Sequence, residues 1–289
     1  MTSHHDLHLH DRGLSHDLPL IVQRGMGRRG LLALFGGVGA AAIAGCGEDE
    51  STGTGTAGGP QDQGAGGAPR GGGSESNTSV AEGEIPEETA GPFPADGSNG
   101  VDVLSESGIV RSDITSSFGS ASGTAEGVQL RIKMLVYDLN GEEATVLSGA
   151  AVYLWHCDRE GAYSMYSQGV EDQNYLRGVQ ATDSEGYVEF TTIFPGAYSG
   201  RWPHVHFEVY PSLDDATSGS NKLRTSQMAL PEEVCARAYE ADGYDASIRN
   251  LSQTSLDSDN VFSDGYSLQM AKVTGSNDDG YVATLNVPV

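Results

Sequence analysis

Val128, Leu130, Ile132, Met134 and Val136 alternate with Gln129, Arg131, Lys133 and Leu135, and this run limits the fold of the chain more than any other feature. Successive side chains of an extended strand point to opposite faces, so the run has one apolar face and one mostly polar face. Further runs of strand length follow at Ala151 to Cys157, Gly186 to Ile193, His204 to Tyr210 and Leu223 to Leu230, separated by turn-forming residues. Near the C-terminus, Tyr266 to Val273 and Tyr281 to Val287 flank Asn277-Asp278-Asp279-Gly280, which reads as a hairpin turn. The pattern predicts a mainly β domain over residues 84–289, an antiparallel β-sandwich or barrel. One short helix is expected at Pro231 to Ala241, where proline suits the first turn and Glu232 and Glu233 favour the positive end of the helix dipole.

The chain before this domain cannot fold in the same way. Residues 47–83 are Gly, Ser, Thr and acidic residues with hardly an apolar side chain, too little to offset the entropy of ordering. This segment reads as a tether whose ends lie about 30 to 35 Å apart as a Gly-rich coil. Residues 1–46 read as an export signal. Arg28 and Arg29 precede the small, apolar run from Gly30 to Gly45, which is similar to twin-arginine signals. A membrane span needs about 20 strongly apolar residues, and this glycine-rich run is shorter. It ends in Ile43-Ala44-Gly45-Cys46, which resembles a bacterial lipobox with Cys46 as the lipidated residue. The expectation is a protein exported across the cytoplasmic membrane to the periplasm or cell surface, touching the membrane only through a lipid on Cys46. His4, His5, His8 and His10 precede the signal and would leave with it.

A formal net charge of −24 argues against nucleic acid as a partner, because phosphate affinity comes from clustered Lys and Arg. With Cys46 assigned to lipid, Cys157 and Cys235 are the remaining cysteines. In an oxidising compartment they form a candidate disulfide, with two buried free thiols as the alternative.

The chemistry concentrates in Arg201-Trp202-Pro203-His204-Val205-His206-Phe207. Residues two apart on a strand share a face with Cα atoms about 6.6 Å apart, so His204 and His206 can meet on one metal. Before them come Phe194-Pro195-Gly196-Ala197-Tyr198 and Trp155-His156-Cys157-Asp158-Arg159-Glu160-Gly161-Ala162-Tyr163. Taken singly, each tyrosine reads as a packed aromatic and the histidine pair as ordinary. Taken together, hard phenolates and neutral imidazoles make a mixed N,O set suited to Fe(III).

This order of elements, Gly-x-Tyr after a Trp-His strand, then Pro-Gly-x-Tyr, then Arg-x-Pro-His-x-His-Phe, resembles the intradiol ring-cleavage dioxygenases over roughly residues 84–289. The resemblance implies a β-sandwich of the intradiol type and non-haem Fe(III) held by Tyr163, Tyr198, His204 and His206. It implies cleavage of a small aromatic diol by O2 between the two hydroxyl-bearing carbons. Tyr198 and Arg201 would act on the substrate, Arg201 by stabilising negative charge on its ring. Gln227 falls where the family has a glutamine behind the ligands. Thr89-Ala90-Gly91-Pro92-Phe93 resembles the pocket-lining segment of the protocatechuate branch, so Thr89, Gly91, Pro92 and Phe93 would line the substrate, with Phe93 where a tyrosine is usual. Tyr166 is the alternative to Tyr163, with Tyr187 behind it, and His156 is expected to be structural. Only five residues separate Tyr198 from His204, fewer than in the family, so a more open pocket is expected. The rival reading is a cell-surface β-sandwich binding module whose metal site is a relic or holds another ion. The sequence leaves the oligomeric state open, a homo-oligomer included.

Overall fold

A computed structural model describes residues 82–289 except 141 and 142. The signal expected over residues 1–46, the lipidation expected at Cys46, and the tether expected over residues 47–83 as far as residue 81 lie outside the described residues.

Among the described residues, nine strands form two sheets. The first strand, β1 (Gln129–Asn140), is followed by β2 (Glu143–Val146), β3 (Ala151–Trp155), β4 (Arg177–Ala181), β5 (Tyr187–Ile193), β6 (His204–Tyr210) and β7 (Arg224–Ala229). Two short helices, α1 (Glu232–Ala238) and α2 (Asp245–Leu251), precede β8 (Lys272–Ser276) and β9 (Gly280–Pro288). One sheet is built on β1, which pairs antiparallel with β5 along its first half and with β2 along its second. Its other edge pairs with β9, which carries β8 beyond it. The second sheet runs β4-β3-β6-β7, antiparallel throughout. The fold is therefore mainly β with antiparallel sheets, and one pair departs from that rule: β1 and β9 run parallel from Leu130↔Tyr281 to Tyr137↔Pro288. A parallel neighbour cannot be reached through a hairpin, and here the chain traverses the whole second sheet before β9 returns to β1.

The alternation read from the sequence sets the packing. Leu130, Ile132, Met134 and Val136 from β1 meet Val152 and Leu154 from β3, and Val205, Phe207 and Val209 from β6, in one core cluster. Burying each such side chain contributes about 1.5 to 3 kcal/mol relative to leaving it in water. On β6 the residues between them, His204, His206, Glu208 and Tyr210, must face the other way, yet all seven residues of the strand are buried. A second cluster covers that outer face, with Ala95, Val103, Leu104, Tyr153, Trp155 and Tyr163 among its members. The candidate site lies on this covered side, where polar groups are kept from bulk water.

The helix expected at Pro231 to Ala241 is present as α1, with Pro231 at its N-cap and Glu232 and Glu233 in its first turn. The second helix, α2, was not expected. Its sequence, Asp-Ala-Ser-Ile-Arg-Asn-Leu, buries only Ser247 and so lacks an apolar stripe. No described helix is long and apolar enough to cross a membrane.

The expected disulfide is corrected: Cys157 and Cys235 are both buried free thiols. Cys157 Sγ is directed at the Gly196 carbonyl, 3.4 Å away, on the outer side of the second sheet. Cys235 faces the core between the sheets from α1. The two thiols thus serve different packing layers, and burial pushes both well above the ordinary thiol range.

Candidate metal centre

Tyr163 ends a turn that Asp158 ties together. Asp158 Oδ1 accepts from the Glu160 and Ala162 amides at 3.1 and 2.8 Å, and Gly161 within the turn has φ +87. Tyr198 is set by the preceding Pro195-Gly196-Ala197. Gly196 lies so close to the end of the previous segment that a Cβ there would come 2.5 Å from the Arg159 carbonyl oxygen. The unexpected helix α2 clamps Ala197: Ser247 Oγ accepts from its amide at 2.9 Å and Asn250 Nδ2 donates to its carbonyl at 2.8 Å. His204 and His206 stand on the outer face of β6.

These four side chains meet. His204 Nε2 lies 3.1 Å from His206 Nε2, 3.2 Å from Tyr198 Oη and 3.5 Å from Tyr163 Oη, and the two phenol oxygens are 3.4 Å apart. His204 Nδ1 faces the Trp202 carbonyl at 2.5 Å. A carbonyl can only accept, so Nδ1 carries the proton and Nε2 presents its lone pair to the cluster. Burial, with Arg201 adding to it, pushes the His204 imidazole down to about 3, and burial together with His204 and Arg201 holds His206 well below its ordinary value. Burial pushes Tyr198 up to about 12 against the pull of Arg201, and pushes Tyr163 further, with the neighbouring Tyr198 adding. Without a cation, the cluster is therefore neutral: two imidazole rings and two phenols.

The donor set fits a metal ion. Donor atoms about 2 Å from a common centre at tetrahedral angles are separated by about 3.3 Å, and the four separations run from 3.1 to 3.5 Å. No group of three or more His, Cys, Asp or Glu able to hold a metal occurs among the described residues, so the tyrosines are indispensable to this reading.

Around the cluster, Arg201 directs Nη1 to within 3.5 Å of His204 Nε2, and its Nη2 donates to Gln227 Oε1 at 2.6 Å. Gln227 Nε2 in turn donates to the Thr89 carbonyl at 2.8 Å, which ties β7 to the segment 89–93. Gly91 has φ +72, and a Cβ on it would lie 3.4 Å from His206 Cε1. Thr89 Oγ1 accepts from the Gly91 amide at 3.0 Å, and Asn99 Nδ2 donates to the Pro92 carbonyl at 3.0 Å. The Phe93 ring packs on Tyr163 at 4.9 Å and on Tyr166 at 5.2 Å between centroids. Thr89, Gly91, Pro92 and Phe93 thus form a wall beside the cluster.

The rivals stand elsewhere. Tyr166 Oη accepts from the Ala95 amide and donates to Asn99 Oδ1, both at 2.9 Å. Tyr187 lies under Lys133 on β1, 4.3 Å from its ammonium. His156 uses both nitrogens, on the Cys157 carbonyl and Thr192 Oγ1, each at 2.7 Å.

Sequence reasoning missed Asp259. Its buried carboxylate accepts from Arg201 Nε at 2.9 Å and from the Trp202 amide at 2.6 Å, fixing both the guanidinium and the entry to β6. No local signal marks an aspartate 58 residues from its partner.

Part of the chain is similar to known proteins. Residues 110–213, which contain all four cluster residues and Arg201, match the model of a dioxygenase family, Dioxygenase_C. The chain is 35% identical over 102 residues to the chlorocatechol 1,2-dioxygenase of Rhodococcus opacus, a match covering 29% of this chain and 38% of that enzyme. The chain thus spans well under half the length of that curated relative. Among solved structures, an intradiol ring-cleavage dioxygenase from Tetranychus urticae superposes with a TM-score of 0.52 at 24% identity, covering 63% of this chain and 87% of that one. Fold and cluster together define a mainly β protein with a candidate metal centre of two tyrosines and two histidines. Residues 110–213 are thus similar to that dioxygenase family, and the fold is similar to that of an intradiol ring-cleavage dioxygenase.

Proposed function

We propose that residues 84–289 form a non-haem Fe(III) dioxygenase that uses O2 to cleave a small catechol-type diol between its two hydroxyl-bearing carbons. The observation that carries this reading is the convergence of Tyr163 Oη, Tyr198 Oη, His204 Nε2 and His206 Nε2 within 3.1 to 3.5 Å of one another along the four measured pairs. A ferric ion there would act as a Lewis acid, lowering the pKa of its phenol ligands and of a diol bound beside them.

The chain's own residues support the remaining steps. His204 and His206 are neutral and need lose no proton to bind a cation. Tyr163 is buried, whereas Tyr198 is half-buried and followed by the exposed Ser199 and Gly200, so Tyr198, once a bound cation had made it a phenolate, would be the ligand able to swing out and return to a phenol by taking a proton from the diol. Arg201, held by Asp259 and Gln227, presents its guanidinium where negative charge on the bound ring would be stabilised in a site of low dielectric. Phe93 offers an apolar face to an aromatic ring. The likeness to a chlorocatechol dioxygenase supports a catechol-type substrate. A relic site in a binding module gains no support, since none of the four ring atoms has lost its aim at the common point.

The test is to express the full chain, supply iron, and record visible spectra and oxygen uptake as catechol is added under air. A coloured tyrosinate band that shifts with catechol, with uptake of both oxygen atoms into a ring-opened diacid, is expected. Tyr163→Phe should weaken and shift the band, which Tyr198 would then carry alone. A folded, colourless protein that takes up no iron would sink the reading. Export and tethering by residues 1–83 belong to the same proposal, and mass analysis of the mature N-terminus should find lipid on Cys46.

A further inference from the structure

A histidine that binds a metal through one nitrogen is normally held by an acceptor on the other, which fixes both ring orientation and tautomer. His204 has such an anchor in the Trp202 carbonyl at 2.5 Å. His206 has none: its Nδ1 is buried without a hydrogen-bond partner. Something else must fix that ring. Trp155 stands directly opposite His206 across the β3–β6 pairing. Its indole lies parallel to the imidazole within 4°, with centroids 4.9 Å apart. Trp155 Nε1 also lacks a partner, so the indole acts through its face and not as a donor. It stacks in turn on Tyr153 at 4.9 Å, and Tyr153 is anchored, donating to the Pro94 carbonyl at 2.7 Å and accepting from Arg177 Nη1 at 3.1 Å.

We infer that Trp155 is the positioning residue for His206, holding by ring stacking a ligand that lacks the usual hydrogen-bonded anchor. Two histidines on one strand face are thus oriented by different means: His204 by a backbone carbonyl, His206 by a stack of two aromatic rings, Trp155 and Tyr153, that ends in two hydrogen bonds. Loss of the indole should free one histidine and spare the other.

The inference rests on the metal-centre reading for its purpose, and its test separates the two. In the metal-free full chain, NMR signals of the His204 and His206 rings are compared among wild type, Trp155→Phe and Trp155→Met, followed by ferric iron affinity against a competing chelator. Methionine fills volume but offers no plane, so W155M should split or average the His206 signals while His204 stays in place. It should also weaken iron binding by about 10 to 100-fold, the usual effect of losing a partner behind a ligand. W155F keeps a ring and should restore a single His206 conformer and most of the affinity. The inference is overturned if His206 keeps one conformer in W155M, if both histidines loosen equally, or if the loaded variant binds iron as wild type does. Were wild type to take up no iron, the proposed function would fall, and the ring signals would still decide whether Trp155 holds His206.

Discussion

Replacing Asp259 by alanine should remove the support of Arg201 and expose how much the site depends on it. The carboxylate is fully buried and Arg201 is 14% exposed. Asp259 Oδ2 accepts from Arg201 Nε and the Trp202 amide, and Oδ1 from the amides of Val261 and Phe262 at 2.8 and 3.3 Å. Breaking a buried ion pair by removing one partner costs about 3 to 5 kcal/mol. The partial exposure of the guanidinium and water entry into the vacated space favour the lower end, so Asp259→Ala should cost about 3 kcal/mol. Asp259→Asn keeps one oxygen acceptor and should cost about 2 kcal/mol. Urea unfolding of the full chain reads this as a shift in midpoint with unchanged slope. In an Arg201→Ala background the Asp259→Asn cost should shrink by about 1 to 2 kcal/mol, the coupling of the pair. Acid should have a related effect. Burial alone would raise this carboxyl, but the Trp202 amide and Arg201 outweigh it and hold it below the usual range. Its contribution is complete above the ordinary carboxylate pKa and is lost as pH falls through the lower folded value. A loss under about 1 kcal/mol in Asp259→Ala, or strictly additive single and double variants, would refute the reasoning.

Three further outcomes are expected. Gly91→Ala places a side chain at φ +72 with its Cβ 3.4 Å from His206, and should lower stability by about 1 to 2 kcal/mol in thermal unfolding; an unchanged midpoint would mean that segment 89–93 is not held in this backbone. Burial, with Asp264 adding, pushes the Glu88 carboxyl up to about 7, so its NMR titration should centre near neutrality and move down in Asp264→Asn. The sign follows from the raised value: Glu88 supports the folded state most below the ordinary carboxylate pKa and less as pH rises through 7. A midpoint at the ordinary value would contradict this. Peptides containing Cys157 and Cys235 should take up alkylating reagent after unfolding without reductant, and not in the folded chain; a linked pair of peptides would show that the thiols are bonded.

Much of the site was legible because it rests on local geometry. The i, i+2 relation of a strand puts His204 and His206 on one face whatever else the chain does, and Pro195-Gly196 before Tyr198 marks a turn by its own stereochemistry. The β1 strand was legible for the same reason, since period-2 alternation needs no distant partner. Helix α2 was not, because a seven-residue helix that buries one serine is specified by what it clamps, Ala197, and not by its own pattern.

Sequence alone was enough to place a mainly β domain after a chain of low apolar content, and to single out the four side chains of the candidate metal centre, because strand periodicity and residue type are local properties. Only the tertiary structure decided that Tyr163 and not Tyr166 turns its hydroxyl to the histidines, that Asp259 and not another acid holds Arg201, and that β9 returns parallel to β1. It also decided that Cys157 and Cys235 stay unpaired in separate packing layers. Each of these depends on contacts between residues distant in the chain, whose geometry follows from how two sheets and their loops close over one another.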